Sequence, residues 1–353
     1  MISSHISLRK KSQMIPIRNK FINSEEYQKK ILELASSEIS IYQQIPWLDV
    51  ISKGFSAEIK FVWSTGKNET TLALTPFTVK KKGPFGLIGT PLRGTYTLFS
   101  GPIFKKNLET DVIVSVISSL HNFVSKDFDY FEWVNKNCQP WETLMPNLGY
   151  KKSLRFSLLV NLSNGENAVW NSMQGRARNM IRKSEKYGVF VTTVQLDQKW
   201  VKEYFDMLTD TFARQGLKVP HPISFYQELI KLASLGIISC VSAKYEGQMV
   251  SAGIFVMDKN VMIFLSGTSN KIGMKTAASS MIQWHAMKLA IQKGITEYDM
   301  GGIGEPTIDK FKKSFGGKQI SYNRWVRRSW IFSLLEPLAL FVLRSRLFKR
   351  SGI

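Results

Sequence analysis

The segment 237–303 leaves this chain few architectures to choose from. Ile237–Tyr245, Gln248–Met257 and Val261–Ser266 alternate with period two, and the turn residues Glu246-Gly247 and Asp258-Lys259-Asn260 separate them. That spacing predicts three antiparallel strands in a meander. Ala277–Gln292 then reads as a helix with Trp284, Met287 and Ile291 toward a core and Gly294 as its stop. The chain re-enters a strand at Ile295–Asp299, and a connection as long as a helix places that strand parallel to the preceding one by a right-handed crossover. The expected class is therefore α/β with mixed sheets.

The residues after the last strand are chemically unusual. Glu297-Tyr298-Asp299-Met300-Gly301-Gly302-Ile303-Gly304 runs into Lys310-Phe311-Lys312-Lys313-Ser314-Phe315-Gly316-Gly317. A strand end, backbone amides made accessible by glycine and several ammonium groups come together, as a site for developing negative charge requires. A solvated basic helix capped by glycine accounts for the same residues. A second basic stretch, Trp170–Gly188, sets Arg178 and Arg182 on one helix face and Trp170, Met173, Ala177 and Ile181 on another. Lysine and arginine total 48 against 27 acidic residues, a net charge of +21. Such an excess concerns partners rather than fold, and an anionic membrane surface, a phosphorylated lipid or nucleotide, and tRNA all satisfy it.

The two cysteines, Cys138 and Cys240, give no disulfide framework and suit a reducing cytoplasm. His5, His121, His221 and His285 are scattered without metal-ligand spacing, so no metal site is expected. Residues 1–20 are basic without an apolar run and do not read as a secretory signal. At 353 residues two domains are expected. In the first, Ala57–Trp63 and Thr70–Val79 predict a hairpin, the Gly- and Pro-rich stretch Lys80–Pro102 predicts loops and edge pieces, Leu108–Lys126 a helix and Tyr130–Val134 a buried strand. In the second, Arg155–Val160 reads as a strand, Ala168–Tyr187 as one helix, and Lys199–Phe212 and Ser224–Leu235 as two more.

The pattern W-x-x-M-x-x-x-x-R-N-x-I-R-K-x-E-K-x-G-V from Trp170 to Val189, with Y-D-x-G-G at Tyr298–Gly302 and F-K-K-x-F-G-G at Phe311–Gly317, resembles the FemAB-like family of the GNAT superfamily. Ile45–Ile51 and Gly94–Phe104 are similar to that family's N-terminal domain. The resemblance covers most of residues 20–325. It implies two tandem GNAT-like domains, at 21–152 and 153–328, between a basic N-terminal segment (1–20) and a basic amphipathic tail (329–353), with the acceptor in the cleft between them. It implies an acyltransferase that moves an acyl group from coenzyme A, or an amino acid from aminoacyl-tRNA, to an amine of a cell-wall or surface-glycan precursor. Phe311 and Lys312 match the family's F-K pair, whose lysine stabilises the transition state or contacts the donor. Arg178 and Arg182 match basic positions facing phosphates, and Trp170, Tyr298, Lys310, Gly301 and Gly302 flank them as substrate-binding candidates. The loop from Asn270 through Gly273 and Lys275 to Ala277 is a loose version of the pyrophosphate-cradling loop of coenzyme A-dependent members, so both donors stay open. The long helical arm of some tRNA-using members has no counterpart.

Acyl transfer to an amine needs a polarised carbonyl and a proton acceptor. Lys312 and backbone amides at the splayed end of Val261–Ser266 are expected to hold the oxyanion, and Asp299 or Glu305 to accept the proton. No Ser/His/Asp set argues for an acyl-enzyme. Residues 330–343 are largely apolar between arginine clusters. They suit an interfacial helix on anionic lipid, with residues 324–350 as the contact, and also suit packing on the domain. The expected acceptor is anionic, lipid-linked in one form, and the expected location is the cytoplasm, peripheral to the inner face of the plasma membrane. The rival reading is a non-catalytic RNA- or membrane-binding scaffold, but no RNP-like aromatic pattern supports it.

Overall fold

The computed structural model describes residues 16–34, 39–135 and 140–336. His5, Cys138 and the arginines and lysines beyond 336 lie outside the described residues. The first half runs β1 (Arg18–Ile22), α1 (Ser24–Glu33), α2 (Ile45–Phe55), β2 (Glu58–Thr65), β3 (Thr71–Lys82), β4 (Phe85–Thr90), β5 (Ile103–Phe104), α3 (Thr110–Val124), β6 (Tyr130–Asn135), α4 (Trp141–Asn147) and β7 (Lys151–Asn161). The second runs α5 (Gly165–Ser172), α6 (Gly175–Lys186), β8 (Phe190–Val194), α7 (Gln198–Ala213), α8 (Ile223–Ser234), β9 (Ile238–Tyr245), β10 (Gln248–Asp258), β11 (Val261–Ser269), α9 (Lys271–Lys275), α10 (Ala278–Gln292), β12 (Glu297–Ile303), α11 (Pro306–Lys313) and β13 (Lys318–Arg328).

These strands form one mixed sheet in the order β1-β2-β3-β4-β6-β13-β7-β12-β11-β10-β9-β8, with β5 on β3. The meander β9-β10-β11 and the parallel β11–β12 pair across α10 are as the spacing required. The first half repeats the device: β4 and β6 are parallel across α3. The halves then exchange their last strands. β7, which ends the first half, pairs with β12 of the second, and β13, which ends the second, pairs with β6 of the first. β7 and β13 meet antiparallel at the centre, from Lys318 opposite Leu159 to Val326 opposite Lys151. A carboxylate fastens this seam. Glu132 on β6, fully buried, accepts from Arg324 Nε on β13 at 2.6 Å and from Arg155 Nη2 on β7 at 2.8 Å.

Helices cover both faces, because β8, β9, β10 and β11 carry apolar side chains up and down. On one face α7 and α8 bury Tyr204, Leu208, Phe225 and Leu229 against Ile254, Val256 and Ile263. Helix α2 of the first half joins that core through Trp47 and Phe55, whose rings lie 6.5 and 4.8 Å from Phe225. On the other face α5, α6 and α10 bury Val169, Ile181, Ile282 and Met287 against Val241, Val250 and Met262. A third core lies under α3.

Two expectations need correction, and one strand was not anticipated. The basic helix of residues 168–187 is two helices, because Met173 takes an extended conformation (φ −66°, ψ 145°) between α5 and α6. The Gly- and Pro-rich stretch contains β4, an interior strand rather than edge pieces. Its Gly86 and Gly89 lie where Phe128 and Leu92 leave no room for a side chain. Strand β13 gave no expectation at all, although it occupies the centre of the sheet.

Candidate active site

The sheet opens at one place. β11 and β12 pair only from Val261 to Ile263 opposite Glu297 to Asp299, and beyond that level the two strands part. Both are irregular there. β11 inserts Leu265 between the residues that pair with Phe255 and Ile254 of β10, and β12 shifts register against β7 between Asp299 and Gly302. Bulges of this kind bend strands and re-aim side chains. Gly301 makes the bend possible. Its φ is +76°, and a Cβ there would come within 2.9 Å of the Phe264 carbonyl oxygen. The carboxylate of Asp299 fixes the bend by accepting the Gly301 N–H at 2.8 Å, the Tyr322 hydroxyl at 3.1 Å and the Ser157 hydroxyl.

Helix α11 projects Lys312 into the opening. Glu305 caps the helix by accepting the Ile308 N–H at 2.7 Å, Pro306 occupies its first turn, and Asp309 accepts the Gly304 N–H at 2.9 Å. Glu305 is thereby occupied as a cap rather than poised as a base. Lys312 is 8% exposed, whereas Lys310 and Lys313 of the same helix face solvent. Its Nζ donates to the Gly302 carbonyl at 2.7 Å and lies 3.6 Å from where a Cβ on Gly301 would stand. Burial lowers its pKa from 10.5 to about 8, against the opposing pull of Asp299 and Asp309.

Beside Lys312 lies a cleft of about 490 Å³ walled by Phe264, Ile308, Phe311, Met274 and Ile282. Polar side chains also line it: the cations Lys312 and Arg214, and neutral groups that include Thr211, Ser279, Gln283 and Thr307. Arg214 is fixed at the end of α7 by donating to Ser269 O at 2.8 Å and Thr211 Oγ1 at 3.0 Å. Phe311 packs edge-on to Phe315 at 5.3 Å, which sets the side of α11 that faces the cleft. An apolar slot closed by an ammonium group can bind an extended chain and polarise a carbonyl at its end.

None of the donor-loop candidates Asn270, Gly273 and Lys275 lines this cleft, although their neighbours Ser269 and Met274 do. Asn270 caps α9 by accepting the Gly273 N–H at 2.9 Å, and Gly273 is held so close to Val250 O that a Cβ would lie 2.2 Å from it. Lys275 is exposed at the end of α9. Tyr298 is in the core instead of the site. It is fully buried, and its hydroxyl donates to Gln283, so it positions a cleft residue rather than touching substrate.

Arg178 and Arg182 do not line the Lys312 cleft. The start of α6 does approach the end of α11, with Gln174 N donating to Ser314 O at 2.9 Å. Yet the Arg178 guanidinium turns back onto the carbonyls of Trp170, Asn171 and Met173, where it caps α5. Arg182 lies over the Trp170 ring, 5.5 Å from its centroid, and Trp170 packs on Trp284 at 5.4 Å. The structure thus brings neither arginine of the second basic stretch to the Lys312 cleft. Sequence reading missed Ser157, Tyr322, Gln283 and Arg214. Each comes from an element remote in sequence, and only the exchange of β7 and β13 brings Ser157 and Tyr322 to Asp299.

Residues 171–313 match the family model described as an acetyltransferase (GNAT) domain. Among solved structures, FemX shares the fold with a TM-score of 0.68 at 13% identity, over 90% of this chain and all of FemX. A tandem GNAT protein from the clavulanic acid biosynthesis pathway has a TM-score of 0.56 at 7% identity, over 89% of this chain and 98% of its own. The C-terminal domain of a putative lysylphosphatidylglycerol synthetase from Agrobacterium fabrum gives 0.55 at 9% identity, over 88% and 95%. At such identities the likeness is one of fold. No curated protein matches the chain.

Proposed function

We propose, from the match of residues 171–313 to an acetyltransferase (GNAT) domain and the fold shared with FemX and a tandem GNAT protein, that the chain transfers an acyl or aminoacyl group from acyl-CoA or aminoacyl-tRNA directly to an amine of a cell-wall or surface-glycan precursor. The observation that carries this reading is the buried Lys312 ammonium standing in the gap between β11 and β12, at the end of an apolar cleft. The donor chain lies in the cleft with its carbonyl toward Lys312. The acceptor amine gives up a proton to Asp299, and its lone pair attacks the carbonyl carbon. The C–O electron pair moves to the oxygen, where Lys312 and the backbone amides of the splayed strand stabilise it. As the C=O bond reforms, the C–S or C–O bond to the donor breaks, and the leaving thiolate or ribose oxygen takes up the proton that the newly acylated nitrogen sheds. The described residues that line the cleft include no histidine to activate a serine, which supports direct transfer without a covalent acyl-enzyme.

The neighbour whose name joins a lysyl group to phosphatidylglycerol supports an aminoacyl donor and a lipid-linked acceptor. Among the described residues no helix is long and apolar enough to cross a membrane. Peripheral contact would fall to the segment after β13.

Mass spectrometry of surface-precursor intermediates from a deletion strain tests the reading. The expected result is loss of one acyl or aminoacyl increment, restored by the wild-type chain and not by Lys312→Ala. An unchanged precursor pool, together with no transfer by the purified chain from either donor, would overturn it.

A further inference from the structure

The lining of the donor cleft carries charge of one sign. Lys312 and Arg214 are its cations, and none of its described lining residues is an aspartate or a glutamate. Both cations spend their printed hydrogen bonds on neutral acceptors, Lys312 on Gly302 O and Arg214 on Ser269 O and Thr211 Oγ1. An amino acid held with its carbonyl toward Lys312 carries its own ammonium on the neighbouring carbon. Two like charges that close repel, and apolar walls screen them poorly. An acyl group without an amine meets no such conflict. The name of the lysylphosphatidylglycerol synthetase neighbour suggests an aminoacyl donor, but the charges of this cleft oppose one.

A second, independent feature shows what the cleft offers instead. Gln283 on α10 lines it although the residue is only 2% exposed. The Tyr298 hydroxyl donates to Gln283 Oε1, which commits that oxygen. The amide nitrogen has no hydrogen-bond partner among the described residues. Unlike the Tyr42 and Tyr226 hydroxyls, which are sealed in the interior without a partner, it still borders open space, and the space beside Gln283 is the cleft. Tyr298 is itself locked in the core, with its ring 6.3 Å from that of Phe255, so the amide is held from behind. Ser279 stands one turn earlier on the same face of α10 and also lines the cleft. A fixed N–H pair without a protein acceptor, set in the wall of a ligand-sized slot, calls for an acceptor oxygen on the occupant.

We propose that the cleft selects a donor whose transferred group carries no free amine, and that Gln283 receives it by donating an amide N–H to a carbonyl oxygen of the bound chain. Gln283 is then a substrate-binding residue and Tyr298 a positioning residue behind it. The assignment rests on the acyl-transfer reading and names the class of group transferred, a simple carboxylic acyl group in place of an amino acid. The bonds made and broken are those of the transfer already described.

The test uses unreactive amide-linked pairs that differ by one amino group. Propionyl and alanyl groups are joined to coenzyme A whose sulfur is replaced by NH, and the same two groups to the 3′-amine of 3′-amino-3′-deoxyadenosine. Binding to the full chain at pH 7 without acceptor is followed by calorimetry. On whichever carrier binds, the propionyl form should bind about tenfold tighter or more. Gln283→Glu keeps an oxygen for Tyr298 and replaces the free N–H pair by a carboxylate. It should weaken the propionyl form about tenfold and tighten the alanyl form, which inverts the preference. Tyr298→Phe, which frees the amide to turn, should weaken the propionyl form several-fold, whereas a merely structural tyrosine would lower the unfolding temperature and leave affinity as it was. Equal or tighter binding of the alanyl form to the wild type would overturn the assignment. So would a preference and affinity unmoved by both variants, or failure of both forms to bind on either carrier. A chain that shows the preference and its inversion yet acylates no amine would keep the cleft assignment and remove the acyl-transfer reading, and transfer of alanine from tRNA by the purified chain would do the reverse.

Discussion

The Nζ of Lys312 donates a 2.7 Å hydrogen bond to the carbonyl oxygen of Gly302, across the gap where β11 and β12 part. That contact anchors a lysine whose charge burial disfavours, with its pKa lowered to about 8. If the ammonium form stabilises the oxyanion, the transfer rate should fall as pH rises through about 8. Lys312→Ala should cost roughly 10²–10³ in kcat, the range for losing one oxyanion donor. Lys312→Arg, which keeps its charge, should be slower than wild type but lack the alkaline limb. The linkage has a definite sign. Between pH 8 and 10.5 the unfolded chain holds a proton that the folded chain has released, so this group makes stability rise with pH in that window. Urea titrations of Lys312→Met should show that rise removed, by at most ~3 kcal/mol. A pH–rate profile identical in wild type and Lys312→Arg would refute the assignment.

Gly301→Ala probes the opening itself. The new methyl would stand 2.9 Å from Phe264 O at a φ of +76°, where an L side chain costs roughly 1–2 kcal/mol. It would also stand in van der Waals contact with Lys312 Nζ, at 3.6 Å. The expected outcome is modest destabilisation with a loss of transfer far beyond what the unfolded fraction explains. Gly302→Ala is the control, because a Cβ there meets nothing nearer than Phe156 O at 3.9 Å. Equal activity loss in both variants would show that the bend at 301 has no special part.

Glu132→Ala addresses the seam between the halves. The carboxylate is fully buried and holds Arg324 and Arg155, from the two exchanged strands. Removing it leaves guanidinium groups short of a partner, at a cost of about 3–5 kcal/mol. Chemical denaturation should show that loss, with Glu132→Gln intermediate. A change below about 1 kcal/mol would mean that Tyr130 and solvent satisfy Arg324 without it.

The meander, the crossover helix and the strand ending at Asp299 were legible because each has a local signature of period and turn chemistry. The position of Lys312 was legible only as part of a motif. The distinction among the lysines of α11 depends on which one the helix turns inward, and its cap at Glu305 decides that. Arg178 shows the reverse. Its spacing from Arg182 marked a cationic face, but the backbone turn at Met173 gives its guanidinium three carbonyls to satisfy. Asp299 owes its partners to β7 and β13, the last strands of the two halves, and long-range pairing leaves no trace in local sequence.

The segment after β13 sorts its residues between the protein and solvent. Ser329 donates to Asp129 Oδ1 at 3.0 Å, Phe332 is buried between Phe85 and Tyr130, and Glu336 pairs with Arg93 at 2.7 Å and Arg328 at 2.8 Å. Arg324 and Arg328 are therefore engaged inside the protein, which corrects their assignment to a lipid surface. Trp330 and Leu334, on the same short helical stretch, are 77% and 63% exposed. Vesicle binding is therefore tested with Trp330→Ser combined with Leu334→Ser, which leaves β13 intact. Burying two such side chains in an acyl boundary is worth about 3 kcal/mol or more. Co-sedimentation with phosphatidylglycerol vesicles should fall at least tenfold in the double variant, while unfolding stays unchanged. Undiminished sedimentation would place any membrane contact elsewhere on the basic surface.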